Sequence, residues 1–279
     1  MMIEYLKKYI MEDIGVEDIT TNSIIKKNMK ASAKILAREE GIIAGVRIAE
    51  EIFKDFNLEC ITYKDDGEKV AKDECVMRIK GNARKILTLE RSVLNIMMRM
   101  SGIATITNKI VNKVKSVNPK VIVACTRKTT PGMQWLEKLA VKIGGGDTHR
   151  FRLDDCAMIK DNHLALVGLE KAMKMLKKKV SFTKKIEVEV ENINDAILAA
   201  KLGADIILLD NMSPKEIKMV INELKKRNLR NKVILEASGN IKPNTVQDYA
   251  RTGVDVISLG FITHSAPALD LSLEIEKDL

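Results

Sequence analysis

From residue 120 onward, short runs of β-branched and aliphatic residues recur: KVIVAC (120–125), AMIK (157–160), KIEVEV (185–190), DIILLD (205–210), KVILEA (232–237) and DVISLG (255–260). Between them, residues 164–178, 192–201, 214–226 and 244–251 carry apolar positions at helical spacing. A strand-like run followed by a helix-length segment, repeated, predicts parallel strands joined by crossover helices. Ser213 before Pro214 gives an N-cap with proline at the first helical position, where its missing N–H costs nothing. About six runs fall short of a complete TIM barrel, so the pattern predicts an α/β fold of the open or incomplete barrel type rather than a flat doubly wound sheet. Polar residues recur where the runs end, at Arg127 and Lys128, Lys160, Glu187 and Glu189, Asp210, Glu236 and Ser238, then Ser258 and Gly260. In α/β barrels, chemistry collects at that rim.

The first hundred or so residues read differently. An amphipathic opening helix (MMIEYLKKYIMEDIG) precedes a strand-like KASAKILA from residue 30, GIIAG at 41–45 and a second strand group between Ile61 and Ile79. This predicts an N-terminal α+β sandwich domain over 1–105 and a barrel domain over 106–265, with 266–279 packing back on the first. A long helical pattern from Thr88 to Val117 joins the two, and its Met97, Met98 and Met100 read as packing residues.

Composition narrows the class. The chain has 279 residues, 46% hydrophobic and 30% charged, which excludes general disorder and suits roughly two domain-sized units. No long uncharged apolar stretch and no signal-peptide pattern occurs, so a cytoplasmic protein without a membrane partner is expected. Cys60, Cys75, Cys125 and Cys156 form no CxxC pair, and reduced, mostly buried thiols are expected, although neighbouring cations could lower the pKa of Cys125. A formal net charge of +9 is compatible with nucleic acid, anionic lipid or small anionic substrates. An aromatic content of 4% weighs against stacked single strands, and the Lys-rich 176–185 reads as a solvated helix end, so no nucleic-acid partner is expected.

The densest chemistry lies in TRKTTPGMQWLEKLAVKIGGGDTHR (126–150) and MIKDNH (158–163). If the runs ending at Cys125 and Lys160 are neighbours in one barrel, Arg127, Lys128, Arg150 and Lys160 reach one mouth beside His149, with only Asp147 and Asp161 near in sequence to balance them. Unpaired cations in a pocket are costly, and a polyanionic ligand would supply the missing charge. Arginine forks suit carboxylates or phosphates and lysines act as point charges, so the mixture suggests two anionic groups. A single one of these lysines would read as a surface cation; their joint placement argues otherwise. Glu187 and Glu189 share one strand face, and Asp210 arrives at the same rim, an arrangement suited to a cation, a sugar hydroxyl or a developing positive charge. For Glu187, pairing with a nearby Lys is an equal alternative. EASGN (236–240) and SLGFITHS (258–265) follow strands and offer backbone N–H groups to a phosphate, whereas GGG at 144–146 reads as a helix stop. The histidines His149, His163 and His264 are not spaced for a metal, and a structural role is as good a reading as catalysis for each, with His149 the strongest functional candidate.

Taken in order, TRKTTPG, GGGxxHR, MIKDNH, IEVEV, LDNM, LEASGNI and ISLGxxTHS resemble the quinolinate phosphoribosyltransferase family, and EDITT, GIIAG, ERSVLN and SGIAT resemble its N-terminal domain. The resemblance implies transfer of phosphoribose from phosphoribosyl pyrophosphate to quinolinate, releasing carbon dioxide and pyrophosphate and giving nicotinate mononucleotide for NAD biosynthesis, with Mg2+. Carried over by motif, Arg127, His149, Arg150 and Lys160 resemble the quinolinate grip, with Lys128 toward the phosphate end and Thr126 among the substrate-binding residues. Glu189 and Asp210 resemble the carboxylates attending ribose and metal, and with Lys128 and Lys160 they make the expected catalytic set. Ser238, Gly239, Asn240, Gly260 and Phe261 fall where 5'-phosphate contacts lie. Arg91 resembles an arginine supplied by a neighbouring subunit, which implies a homodimer with shared sites, or a hexamer as a trimer of dimers. Two departures stand out: Gln134 replaces a frequent arginine, and Ala124-Cys125 replaces a frequent aspartate before TRK. Rival readings are a relative acting on another acid, such as a nicotinate phosphoribosyltransferase or a molybdenum-associated homologue, and a nucleic-acid binder.

Overall fold

The computed structural model of the chain describes residues 2–276. Met1 of the opening helix and residues 277–279 of the C-terminal segment lie outside them. The chain divides into two units, one reaching Ile106 and including the segment from Ala266, the other spanning Thr107–Ser265.

In the first unit, four antiparallel strands lie in the order Leu271–Ile275, Lys30–Ala37, Cys75–Asn82 and Glu59–Thr62. Alternation along Lys30–Ala37 buries Ala33, Ile35 and Ala37 completely, so the strand has one core face, as period-two spacing requires. A short ribbon pairs Gly41–Ile42 with Lys69–Val70. The long helix runs Ala83–Lys115, longer at the front and shorter at the back than the apolar pattern from Thr88 to Val117 suggests. Gly102 on it lets the C-terminal segment lie close, since a Cβ there would sit 1.9 Å from the Pro267 carbonyl oxygen.

The second unit holds the parallel strands Ile122–Ala124, Ala157–Ile159, Ile186–Val190, Ile206–Asp210, Ile234–Ser238 and Val256–Ser258. The second to sixth are neighbours in chain order, and the sixth pairs with the first rather than ending the sheet. The order is that of a barrel opened at one seam, between the first strand and the second. Asp147 partly fills that seam, exchanging backbone hydrogen bonds with Val123 (2.8 Å) and Cys125 (3.0 Å).

Val188, Val190, Ile207, Leu209, Leu235, Ala237 and Ile257 are buried on one face of the sheet. The alternate positions, Glu187, Glu189, Asp210, Glu236 and Ser238, are polar, and apart from Glu187 they line a cavity. Pro214–Lys226 forms the helix that its cap predicts, with Ser213 and Glu216 in a reciprocal capping box. The segment 164–178 is not one helix: Asp161–Val167 and Leu169–Lys179 meet at Gly168, whose φ of 76° a continuous helix cannot contain.

Candidate active site

A cavity of about 670 Å³ opens at the C-terminal ends of these strands. The first strand delivers Thr126, Arg127 and Lys128 into it, the seam delivers His149 and Arg150, and the second strand delivers Met158 and Lys160. Glu189, Asp210, Glu236, Ser238, Gly239, Asn240, Gly260 and Phe261 follow around the wall. Every substrate or catalytic candidate named from the sequence lines this one hollow, except Arg91. That arginine is exposed on the helix Ala83–Lys115, in the first unit.

Cations and acids meet within the cavity. Ala157–Ile159 pairs with Ile186–Val190 in register, so Lys160 follows on directly beside Glu189, and its ammonium donates to Glu189 Oε2 at 2.8 Å. Burial raises the pKa of Asp210, aided by the charges of Glu189 and Glu191 and opposed by Lys160 and Lys128. Two rim acids thus repel each other, which a cation between them would relieve. Their hard oxygens suit Mg2+, an ion commonly held by one or two carboxylates plus substrate phosphates.

Deeper in the unit lies a second acidic pair. Glu187 is fully buried and Glu236 is 2% exposed, and His149 Nε2 lies 3.6 Å from the first and 3.2 Å from the second. Burial opposes charge on His149, but the close carboxylate of Glu187, the hydrogen bond to Glu236 and the negative charge of both outweigh it, lifting its pKa to about 10. The imidazole is therefore a cation at neutral pH. Glu187 pairs with this histidine instead of a lysine. The same three side chains are the group among the described residues whose donor atoms could also converge on a metal ion. The imidazolium offsets one of the two carboxylate charges, and Glu187 Oε1 and Oε2 and Glu236 Oε1 are buried without a hydrogen-bond partner.

Arg150 is held by its Nη1 to the Cys156 carbonyl at 2.9 Å and its Nη2 to Met158 Sδ at 3.1 Å. Neither partner is an acid, so the guanidinium charge stays available to a ligand. At the opposite wall, Gly239 (φ 84°) and Asn240 (φ 50°) turn back sharply after the strand Ile234–Ser238. A Cβ on Gly239 would meet Asn211 Oδ1 at 2.3 Å, so only glycine fits there. Ser258 Oγ donates to Ser238 Oγ at 3.0 Å, placing two small hydroxyls side by side.

The other two histidines differ in placement. His163 Nδ1 accepts the Lys160 backbone N–H at 3.0 Å, while His264 lines the cavity with Nδ1 2.6 Å from Ser265 Oγ. Gly144 ends the helix Gln134–Ile143. Cys125 is not activated by the cations around it: burial pushes its thiol up, outweighing Lys138. Gln134 Nε2 donates to the Phe151 carbonyl at 2.7 Å, a supporting role just beyond His149 and Arg150. Lys138, which no sequence pattern singles out, is completely buried. Its position one turn after Gln134 and one turn before Val141 gives no local sign of that burial.

Residues 103–274 match the family description "Quinolinate phosphoribosyl transferase, C-terminal domain", and residues 18–101 match the corresponding N-terminal domain. A probable nicotinate-nucleotide pyrophosphorylase (carboxylating) of Methanothermobacter thermautotrophicus is 54% identical over 275 residues, covering 98% of this chain and 99% of its own. The human nicotinate-nucleotide pyrophosphorylase (carboxylating) is 36% identical over 246 residues, covering 88% of this chain and 82% of its own. Among solved structures, the nicotinate-nucleotide pyrophosphorylase of Ehrlichia chaffeensis superposes with a TM-score of 0.91 at 38% identity, covering 98% of each chain.

Proposed function

The chain belongs to the quinolinate phosphoribosyltransferase family, and from that premise we propose how its own side chains carry the reaction. It transfers phosphoribose from phosphoribosyl pyrophosphate to quinolinate, with loss of carbon dioxide and pyrophosphate, in NAD biosynthesis. The observation that carries the assignment of residues is that Arg127, His149, Arg150 and Lys160 line one cavity together with Glu189 and Asp210, with Lys160 joining the two groups through its ion pair with Glu189.

Quinolinate carries two carboxylates, which match the guanidinium forks of Arg127 and Arg150, the imidazolium of His149 and the ammonium of Lys160. Held there, the ring nitrogen is fixed for in-line attack, and orientation replaces a costly encounter. Thr126 borders the same side, and Lys128 faces the polyphosphate. The turns at Ser238, Gly239 and Asn240 and at Gly260 and Phe261 receive the 5'-phosphate on backbone N–H groups. As the bond from ribose C1 to pyrophosphate lengthens, positive charge grows on the sugar, and Glu189 with Asp210 stabilises it more than it stabilises the ground state. Glu189 and Asp210 would also hold Mg2+, which would supply counter-charge for the pyrophosphate. After transfer, the bond from the ring to the adjacent carboxylate breaks, carbon dioxide leaves, the bonding pair stays on the ring carbon beside the cationic nitrogen, and a proton from solvent completes that position, so no enzyme nucleophile is required.

The proposal extends to assembly and place: a homodimer, or a trimer of such dimers, in which Arg91 of one copy completes the site of the other, working in the cytoplasm. Among the described residues no helix is long and apolar enough to cross a membrane. It also takes 1–105 and 106–265 as the two domains, close to the division at Ile106 and Thr107. The test is an assay of the purified protein with phosphoribosyl pyrophosphate, Mg2+ and either quinolinate or nicotinate. Equimolar carbon dioxide and nicotinate mononucleotide from quinolinate are expected; turnover of nicotinate alone would overturn the substrate.

A further inference from the structure

None of residues 134–143 lines the cavity, yet this helix holds the segment that brings His149 and Arg150 into it. Lys138 is fully buried, and its ammonium donates to the main-chain carbonyl of Thr148 and, at 3.0 Å, to that of Arg150. It also lies 3.6 Å from Cys125 Sγ and 5.2 Å from the centre of the Phe151 ring. A buried ammonium is costly, and burial lowers its pKa, so a neutral or apolar residue would be the cheaper occupant if packing alone were needed.

The carbonyls it grips flank His149, which adopts φ 49°, a conformation that a non-glycine residue keeps only when its surroundings impose it. One helical turn earlier, Gln134 takes the next carbonyl, that of Phe151, at 2.7 Å. Residues four apart share a helix face, so one face ties three carbonyls within four consecutive residues. With those oxygens turned toward the helix, the side chains of His149 and Arg150 reach Glu236 and Met158 on the cavity wall.

We propose that Lys138 is a positioning residue for the reaction, acting through the Thr148 and Arg150 carbonyls to hold His149 and Arg150 where the acid substrate binds. This rests on the quinolinate reading for the identity of that acid, but the mechanical role does not.

Lys138→Met keeps the length of the side chain and removes its ammonium; Lys138→Gln keeps a neutral donor. In steady-state assays the Met variant should raise KM for quinolinate by about tenfold or more, the worth of hydrogen bonds to a charged group, while KM for phosphoribosyl pyrophosphate stays within about twofold. The Gln variant should fall between it and the wild type. Hydrogen–deuterium exchange over residues 147–152 should rise in the same order, independently of any substrate. Equal losses for both substrates, unchanged exchange over that segment, or failure of both variants to fold would overturn the proposal, leaving Lys138 a residue of stability alone. Absence of quinolinate turnover by the wild type would instead defeat the functional reading, with the exchange measurement still deciding Lys138.

Discussion

His149 carries the clearest consequence at the scale of single residues. Its pKa rises from an ordinary 6.5 to about 10 because Glu187 and Glu236 favour the imidazolium against the cost of burial. A raised folded-state pKa means that the stabilisation is present in full below about pH 6.5 and is lost as pH rises through about 10. His149→Asn should therefore be destabilising near neutral pH, and the gap between wild type and variant in urea titrations should close as pH passes through that window. A gap independent of pH would mean the histidine is neutral throughout. For the reaction, Lys160→Ala and Arg150→Ala should raise KM for quinolinate by about tenfold to a hundredfold, whereas Glu189→Gln should lower kcat by about a hundredfold with little change in KM, as expected where charge develops only in the transition state. Near-normal kinetics for Lys160→Ala would remove that lysine from the site. The cations and rim acids were legible because they stand at strand ends. The His149–Glu187–Glu236 group was not, since nothing local in sequence says which buried acid meets which loop residue across 38 or 87 positions, and Lys138 was not, since its partners are main-chain carbonyls, which every residue carries.

Among secondary-structure elements, legibility followed the sharpness of the boundary signals. The helix Pro214–Lys226 begins where Ser213 and Pro214 place it, because cap and proline are both local chemistry. The apolar spacing of 164–178 runs through Gly168 and hides the break, and the bridge from Asp147 to the first strand involves too few residues to show any period. The turn after Ile234–Ser238 carries the sharpest test. Gly239→Ala forces a Cβ against Asn211 at a φ that L-residues avoid, so the turn must shift. Since that turn is assigned to the 5'-phosphate, KM for phosphoribosyl pyrophosphate should rise at least about tenfold while quinolinate binding measured by calorimetry changes little. Equal loss of both would show that the two walls of the cavity do not divide the substrates.

For the whole molecule, an excess of positive charge finds its use in one hollow facing two multiply charged substrates, but the hollow lacks one member of the expected set. Arg91 is exposed on the first unit's long helix and is not among the cavity's lining residues. If a second copy supplies it, Arg91→Ala damages the partner's site and leaves intact the groups of its own second unit, whereas Lys160→Ala damages the site of its own chain. Each variant alone should then be nearly inactive. Co-refolding them in equal amounts makes about half of the dimers hybrid, and in a two-fold symmetric assembly each hybrid holds one site with both residues present and one with neither. About a quarter of all sites should therefore recover wild-type turnover, with wild-type KM values for both substrates, because restored sites are complete rather than improved. Recovery should require subunit exchange and be absent when the two variants are simply combined without it. Co-refolded mixtures no more active than the separate variants, at concentrations where sedimentation shows dimers, would place Arg91 outside the site and leave each second unit to act on its own residues.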